Sequence, residues 1–69
     1  MRDYEYLRQK LGDELFVGGT NEDGENVVLS FDGMEDDHPV IRLDTFQHND
    51  WTRVNIYHYD GTVEELYER

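Results

Sequence analysis

Several residue types that small proteins use for cross-linking or for chemistry are missing or scarce in this 69-residue chain. It has no cysteine, which excludes disulfides, thiolate nucleophiles and cysteine-ligated zinc. It has one serine, Ser30, in a strand-like run that lacks the glycines of a nucleophile elbow. It has no glycine-rich phosphate loop. We therefore expect no enzyme activity, no catalytic residue and no cofactor.

Long apolar runs are also lacking. No stretch approaches the roughly 20 apolar residues that a membrane-spanning helix needs. Residues 1–12 (MRDYEYLRQKLG) are charged and mixed, unlike the apolar region of a signal peptide. Together with the absence of cysteine, this pattern predicts a soluble, cytoplasmic protein that does not bind membranes.

Basic residues are few, and they are unevenly placed. Six Lys and Arg stand against 17 Asp and Glu, a formal net charge of −11, and no basic residue lies between Lys10 and Arg42. Such a charge repels nucleic acid and attracts basic surfaces, so we expect a basic protein surface as the partner and no direct binding of nucleic acid. The candidate partner-binding residues come from the acidic middle of the chain: Glu22, Asp23, Glu25, Asp32, Glu35, Asp36 and Asp37.

What is present suffices for a single domain over residues 1–69. Tyr4, Leu7 and Leu11 have the spacing of one helical face, with Asp3 as the predicted N-cap and Gly12 as the predicted stop. The rest alternates like strands. The predicted fold is α+β, with one N-terminal helix packed on an antiparallel meander of four or five strands.

Strands are predicted over residues 14–20, 26–32, 39–46 and 51–59, followed by a last strand after Gly61. The pair Gly18-Gly19 suggests a bulge or a close backbone approach. Between the strands we predict turns at residues 21–24 and 47–50 and an acidic loop over residues 32–38.

Asp60-Gly61 is the clearest local signal, and it predicts a type I′ hairpin that pairs Tyr59 with Thr62 and Arg53 with Glu68. Along the strand over residues 51–59, we expect Val54 and Ile56 to face the helix. The opposite face then carries an aromatic patch made of Trp51, Tyr57, Tyr59 and Leu66. This patch supports an alternative function: a small structural or regulatory module that self-associates, as a homodimer, and whose acidity serves only solubility.

Possible metal ligands do not form a complete site. Asn21, Asp23 and Glu25 resemble part of an EF-hand loop, but its first and twelfth positions would be Gly19 and Ser30, which carry no carboxylate. The three histidines fall in two predicted loops and one strand, and we interpret each as an ordinary exposed side chain. We expect no metal.

Two segments carry a family resemblance: ENVVLSFDGMEDDHPVIRLDTF (residues 25–46) and DWTRVNIYHYDGTVEELYER (residues 50–69). Their order of a Glu-Asn-Val strand, an acidic loop, a Trp-led strand and a glycine turn resembles the strand half of the uracil-DNA glycosylase inhibitor. The resemblance implies a small acidic DNA mimic of the kind that phages and mobile elements encode, anti-CRISPR proteins included. Residues 13–23 show no counterpart of that inhibitor's target-contacting segment, so no functional residue is carried over.

Overall fold

Each strand of the sheet pairs with the strand before it in sequence. The computed structural model describes residues 3–47 and 50–69, so part of the predicted 47–50 turn lies outside the described residues. The elements are α1 (Asp3–Leu11), β1 (Phe16–Thr20), β2 (Asn26–Glu35), β3 (His38–Phe46), β4 (Thr52–Tyr57) and β5 (Val63–Glu68). The sheet is antiparallel with the order β1-β2-β3-β4-β5, which confirms the predicted α+β meander.

The helix ends where its sequence predicts. Gly12 follows Leu11 with φ +58°, and its N–H donates to the Arg8 carbonyl at 3.0 Å. Glycine adopts this left-handed conformation without steric cost, so it closes the last turn. Asp3 is itself helical, so the prediction that it precedes the helix as an N-cap is wrong.

One face of the sheet is covered by α1. Tyr4 and Leu11 of the helix pack on Leu29 and Ile41, and Ile41 is completely buried. A nine-residue helix is only about 13 Å long at 1.5 Å per residue, so it covers part of a five-stranded sheet. We call this side the helix face.

A second apolar cluster lies on the opposite face. It consists of Val40, Val54 and Ile56, all buried. The prediction that Val54 and Ile56 face the helix is therefore wrong. Ile41 of the helix-face core pairs with Tyr57, and because side chains alternate along a strand, the even-numbered residues of β4 point the other way.

The register of the β4–β5 hairpin also differs from the prediction. Tyr57 pairs with Val63, and Arg53 pairs with Tyr67 instead of Glu68, one residue away from the predicted register. The Gly61 N–H donates to the His58 carbonyl at 3.0 Å, and within this loop only Gly61 has a positive φ. A type I′ turn needs positive φ at both central residues, so the loop is a type I turn followed by a glycine bulge.

The predicted acidic loop over residues 32–38 is instead a hairpin. β2 continues to Glu35 and β3 begins at His38, and only Asp36 and Asp37 connect them, with φ of 50° and 65°. These positive values are those of a tight two-residue turn, here made without glycine, since aspartate tolerates the left-handed region better than most residues.

The bulge of the sheet also lies elsewhere than predicted. Gly18 and Gly19 pair regularly with Val28 and Val27, so β1 contains no bulge. The register shifts instead within β2, between Phe31 and Met34. A bulge inserts an extra residue and bends its strand, which accounts for the irregular pairing in the acidic half of β2.

Candidate functional site

The seven predicted contact residues form two groups at opposite ends of β2. Glu22, Asp23 and Glu25 lie at the β1–β2 turn, which we call the turn cluster. Asp32, Glu35, Asp36 and Asp37 lie at the β2–β3 end, which we call the tip cluster. Residues 26–31 between them carry no charge. Ten residues of strand span roughly 30 Å, so the candidate residues do not make one continuous row.

The turn cluster is organised by Asn21. Its Oδ1 accepts the N–H groups of Asp23 and Glu25 at 3.0 and 2.9 Å, and its Nδ2 donates to Glu25 Oε1 at 3.0 Å. Glu25 also lies 3.9 Å from Arg53 Nη2. The Asn21 oxygen is thus occupied by the backbone. Within residues 3–47 and 50–69, no group of three or more acidic or histidine side chains is arranged to hold a metal ion.

The tip cluster is held by backbone geometry. Asp36 and Asp37 are exposed at the two central positions of the β2–β3 turn, and Asp32 is exposed at the bulge. Because the strands on both sides of the turn are paired, these carboxylates are presented from a hairpin and not from a loop. Glu35 differs from the other three because it turns towards a histidine.

That histidine, His58, links the ends of two hairpins. Its Nε2 lies 2.6 Å from Glu64 Oε2 on β5, and its Nδ1 lies 3.4 Å from Glu35 Oε2, which is ion-pair range without hydrogen-bond geometry. The hydrogen bond to Glu64 raises the pKa of His58; burial opposes this, and the charges of Glu35, Glu64 and Asp60 add to it. We call this set the histidine strap.

The prediction that every histidine is an ordinary exposed side chain is therefore wrong for His58, whose side chain is 14% exposed. It is also wrong for the half-buried His38, whose ring stacks on Tyr59, and His48 lies outside the described residues. The partners of His58 are 6 and 23 residues away in sequence. The predicted hairpin register pairs His58 with Val63 and so does not place Glu64 beside it.

The predicted aromatic patch is not a single surface. Its four members are Trp51, Tyr57, Tyr59 and Leu66. Tyr57 packs against the helix-face core, whereas Leu66 pairs with Val54 and lies on the opposite face. The one-residue change of register is the cause, because it moves every side chain of β5 to the other side of the sheet relative to β4.

The other two members of the patch have separate contacts. Tyr59 stacks on His38, with ring centroids 3.5 Å apart, and meets Tyr4 edge-on at 5.7 Å. The guanidinium of Arg69 lies 4.4 Å from the centroid of the Trp51 ring. These rings therefore fasten α1 and the C-terminal end of the described chain to the sheet.

An arginine crosses the opposite face. Arg42 on β3 donates from Nε to Asp44 Oδ1 at 2.7 Å and from Nη2 to Glu68 Oε1 on β5 at 3.0 Å. Since β4 lies between β3 and β5, the Arg42 side chain passes over β4. Arg42 pairs with Ile56 and Glu68 with Thr52, so the crossing passes over Val54, which is fully buried. We call this contact the arginine strap.

The helix face also holds an unpredicted groove of about 400 Å³ beside α1. Val17, Leu29 and Leu43 form an apolar floor, and Lys10 and Arg53 stand among the lining residues. Two of the six basic residues are therefore gathered at this groove, away from the tip cluster. The candidate acidic residues do not line it.

Comparison with protein-family models, with curated proteins and with solved structures finds no match to this chain. In the part of the chain that the structure describes, none of the helices has the length and apolar character to cross a membrane. Residues and geometry are thus the basis of a functional hypothesis.

Proposed function

We propose that this protein binds the basic surface of a nucleic-acid-handling protein and competes there with nucleic acid, as a DNA mimic and inhibitor. The observation that carries this proposal is the pair of acidic clusters at the two ends of β2. The length of β2, roughly 30 Å, separates Glu25 from the Asp36–Asp37 turn and is close to the roughly 34 Å of one turn of B-DNA; Asp32 lies nearer, at the seventh residue of β2. A DNA-binding groove built to meet phosphates along one face of a duplex would meet carboxylates at a similar interval.

The charge of the clusters is mostly uncompensated. Among the described residues, no ion pair involves Glu22, Asp23, Asp32, Asp36 or Asp37. These carboxylates are therefore available to pair with basic side chains of a partner. Complementary potentials of this kind speed association and favour the matching partner over others.

The geometry of the tip cluster also supports binding. A carboxylate in a flexible loop loses conformational freedom when it binds, and this loss weakens affinity. Asp36 and Asp37 occupy a two-residue turn between paired strands, so much of that ordering precedes binding. The resemblance to phage and mobile-element inhibitors, including the anti-CRISPR class, points to the same kind of partner.

The alternative of a self-associating module has lost its structural basis. It required Trp51, Tyr57, Tyr59 and Leu66 to share one face, and Tyr57 and Leu66 lie on opposite faces. Self-association through that patch is not proposed.

The test compares charge-neutralised variants with a matched control. We expect Glu22→Gln/Asp23→Asn and Asp36→Asn/Asp37→Asn each to lower affinity for the partner about tenfold, equivalent to about 1.4 kcal/mol. Glu5→Gln/Asp50→Asn removes the same charge from other exposed positions and should change affinity much less. The measurement is capture of a nucleic-acid enzyme from lysate on the immobilised protein, followed by titration with each variant.

Two further readouts complete this test. Short duplex DNA should displace the captured enzyme, and raising the salt concentration should weaken capture because exposed charges are screened. If neither duplex DNA nor a higher salt concentration reduces the amount of enzyme captured, the DNA-mimic function is refuted.

A further inference from the structure

The two edges of the sheet differ in charge. β5 forms one edge and carries Glu64, Glu65 and Glu68 among its six residues. β1 forms the other edge, and none of its five residues, Phe16–Thr20, is charged. Charged side chains on an edge strand discourage pairing with another chain, so β5 is protected and β1 is not.

The backbone of β1 offers hydrogen bonds on its outer side. The Asn21 N–H donates to the Glu25 carbonyl at 3.0 Å. This bond identifies which residue pairs of the β1–β2 ladder are hydrogen-bonded. In an antiparallel pair, bonded and non-bonded positions alternate. Val17 and Gly19 therefore bond to β2, and the N–H and carbonyl groups of Gly18 point away from the sheet.

Access to this edge is open. The neighbouring apolar side chains Leu15 and Phe16 are 82% and 67% exposed. A Cβ built on Gly19 would meet nothing within 4 Å, and one on Gly18 would meet only the Val27 carbonyl at 3.9 Å. A further strand could approach β1 without displacing any side chain at the glycines.

Exposed acidic residues frame the edge at both ends. Asp13 and Glu14 precede β1, and Glu22 and Asp23 follow it. A second copy paired antiparallel about Gly18 would set Glu14 opposite Glu22 and Asp13 opposite Asp23. Like charges directly opposite each other destabilise a strand pair. The edge therefore disfavours a second copy and favours a strand with basic ends.

We propose that the β1 edge docks an extended segment of the partner protein, added to the sheet as a sixth strand, with an uncharged centre of about five residues and Lys or Arg at both ends. This inference rests on the proposed function, since it specifies the surface and the partner segment through which the acidic protein binds. Backbone hydrogen bonds supply affinity in such strand addition, and the flanking charges set the register.

A synthetic peptide tests the proposal directly. The probe is Lys-Lys-Thr-Val-Thr-Val-Thr-Lys-Lys, and the control peptide has Glu at each Lys position. We expect the basic peptide to bind, to shift the amide resonances of β1, and to bind at least tenfold more tightly than the acidic peptide.

Two proline variants form a matched pair. Gly18→Pro removes an outward N–H from β1 without removing a β1–β2 hydrogen bond, and proline is tolerated at such edge positions. Glu65→Pro does the same on β5. The His58 N–H donates to the Thr62 carbonyl, so the alternate pairing of β4 and β5 leaves the Glu65 N–H pointing away from the sheet. We expect Gly18→Pro to weaken peptide binding at least tenfold and Glu65→Pro to leave it within about twofold.

A third variant covers the case in which Gly18→Pro does not fold, as circular dichroism would show. Glu14→Gln/Glu22→Gln keeps the backbone intact and should weaken peptide binding at least threefold, with a smaller salt dependence. The proposal is overturned if the basic peptide does not bind, if both proline variants bind it equally, or if sedimentation shows a dimer that Gly18→Pro dissociates.

Failure of this proposal can be told apart from failure of the proposed function. If the peptide does not bind β1 but duplex DNA still displaces a captured enzyme, the edge proposal is wrong and the DNA mimic stands. If the peptide binds β1 but duplex DNA does not displace the captured proteins, the edge proposal stands and the DNA mimic is wrong.

Discussion

The two faces of the sheet are covered by different kinds of side chain. On the helix face, apolar residues of α1 lie on apolar residues of the strands, as Leu11 on Ile41. On the opposite face, no second helix covers Val54 and Ile56 in the described residues, yet these side chains are 0% and 6% exposed. The arginine strap and the histidine strap lie across that face. A chain too short for two apolar layers can thus shield a second cluster with charged side chains.

Arg42 can shield the apolar cluster of the opposite face because its side chain has a long methylene stem. The methylene groups of an arginine cover apolar surface while its guanidinium stays bonded to carboxylates. Arg42 reaches Asp44 and Glu68, so one of the few basic residues also offsets two of the many acidic ones. The same shielding by a lysine would lack the planar fork that bonds both partners.

Truncating the core of the helix face should have the largest effect. We expect Ile41→Ala to cost about 2 to 5 kcal/mol, against a total stability of about 3 to 5 kcal/mol for a domain of this size. Ile56→Ala should cost about 1 to 3 kcal/mol, because the straps can move to fill the space. Urea denaturation followed by circular dichroism measures both.

Ile41→Val keeps enough of the core to be measured if Ile41→Ala unfolds, and should cost about 0.5 to 1.5 kcal/mol. An Ile56→Ala cost equal to or above that of Ile41→Ala would show that the two faces are equally rigid.

Removing the arginine strap should have the next largest effect. Arg42→Ala uncovers Val54 and leaves two carboxylates without their cation, and we expect a loss of about 1 to 2 kcal/mol. Arg42→Lys retains the charge and much of the stem and should recover about half of that loss. Denaturation in low and high salt measures how much of the effect is charge.

Salt provides the internal control for this comparison. Screening should lower the cost of Arg42→Ala but leave that of Ile41→Ala unchanged, since the latter is apolar. Equal costs for Arg42→Ala and Arg42→Lys would show that stem packing over Val54 contributes nothing.

The histidine strap should give the smallest effect, visible as a pH dependence. In the folded protein the pKa of His58 is raised above the ordinary histidine value of about 6.5. Its contribution to stability is therefore complete below about pH 6.5 and is lost as the pH rises through the folded pKa. We expect the stability difference between wild type and His58→Gln to shrink between about pH 6 and pH 8.

Glu64→Gln is the control for that titration. It removes the partner that raises the pKa of His58, so its stability should fall less steeply over the same range than that of wild type. The His58 resonances followed by NMR give the pKa itself. A value at or below 6.5 in the wild-type protein would contradict the strap.

The fold followed from the sequence where local signals were unambiguous. Tyr4, Leu7, Leu11 and Gly12 determine the helix and its end, and strand alternation gives the antiparallel sheet. The turns did not follow. Asp60-Gly61 fits both a type I′ turn and a type I turn with a bulge, and Asp36-Asp37 forms a tight turn without the glycine that signals one.

These turns decided how much of the candidate site was predictable. The predicted strand over residues 26–32 already separated the two acidic groups, but the predicted loop over residues 32–38 proved to be strand and a two-residue turn, which changes how the tip cluster is held. His58 and Glu64 meet only in the observed register. The residue types alone predict an acidic surface. Where the acidic side chains lie on that surface depends on the length of β2, which the sequence did not predict.

The uncharged β1 edge has a consequence for handling the protein. At neutral pH, the net charge of −11 and the carboxylates that frame β1 oppose the approach of a second copy. Near the sequence pI of about 4.3, that repulsion disappears while the outward backbone groups of Gly18 remain available. Edge strands that lack charged side chains are templates for aggregation. We therefore expect the protein to precipitate or form fibres in mild acid.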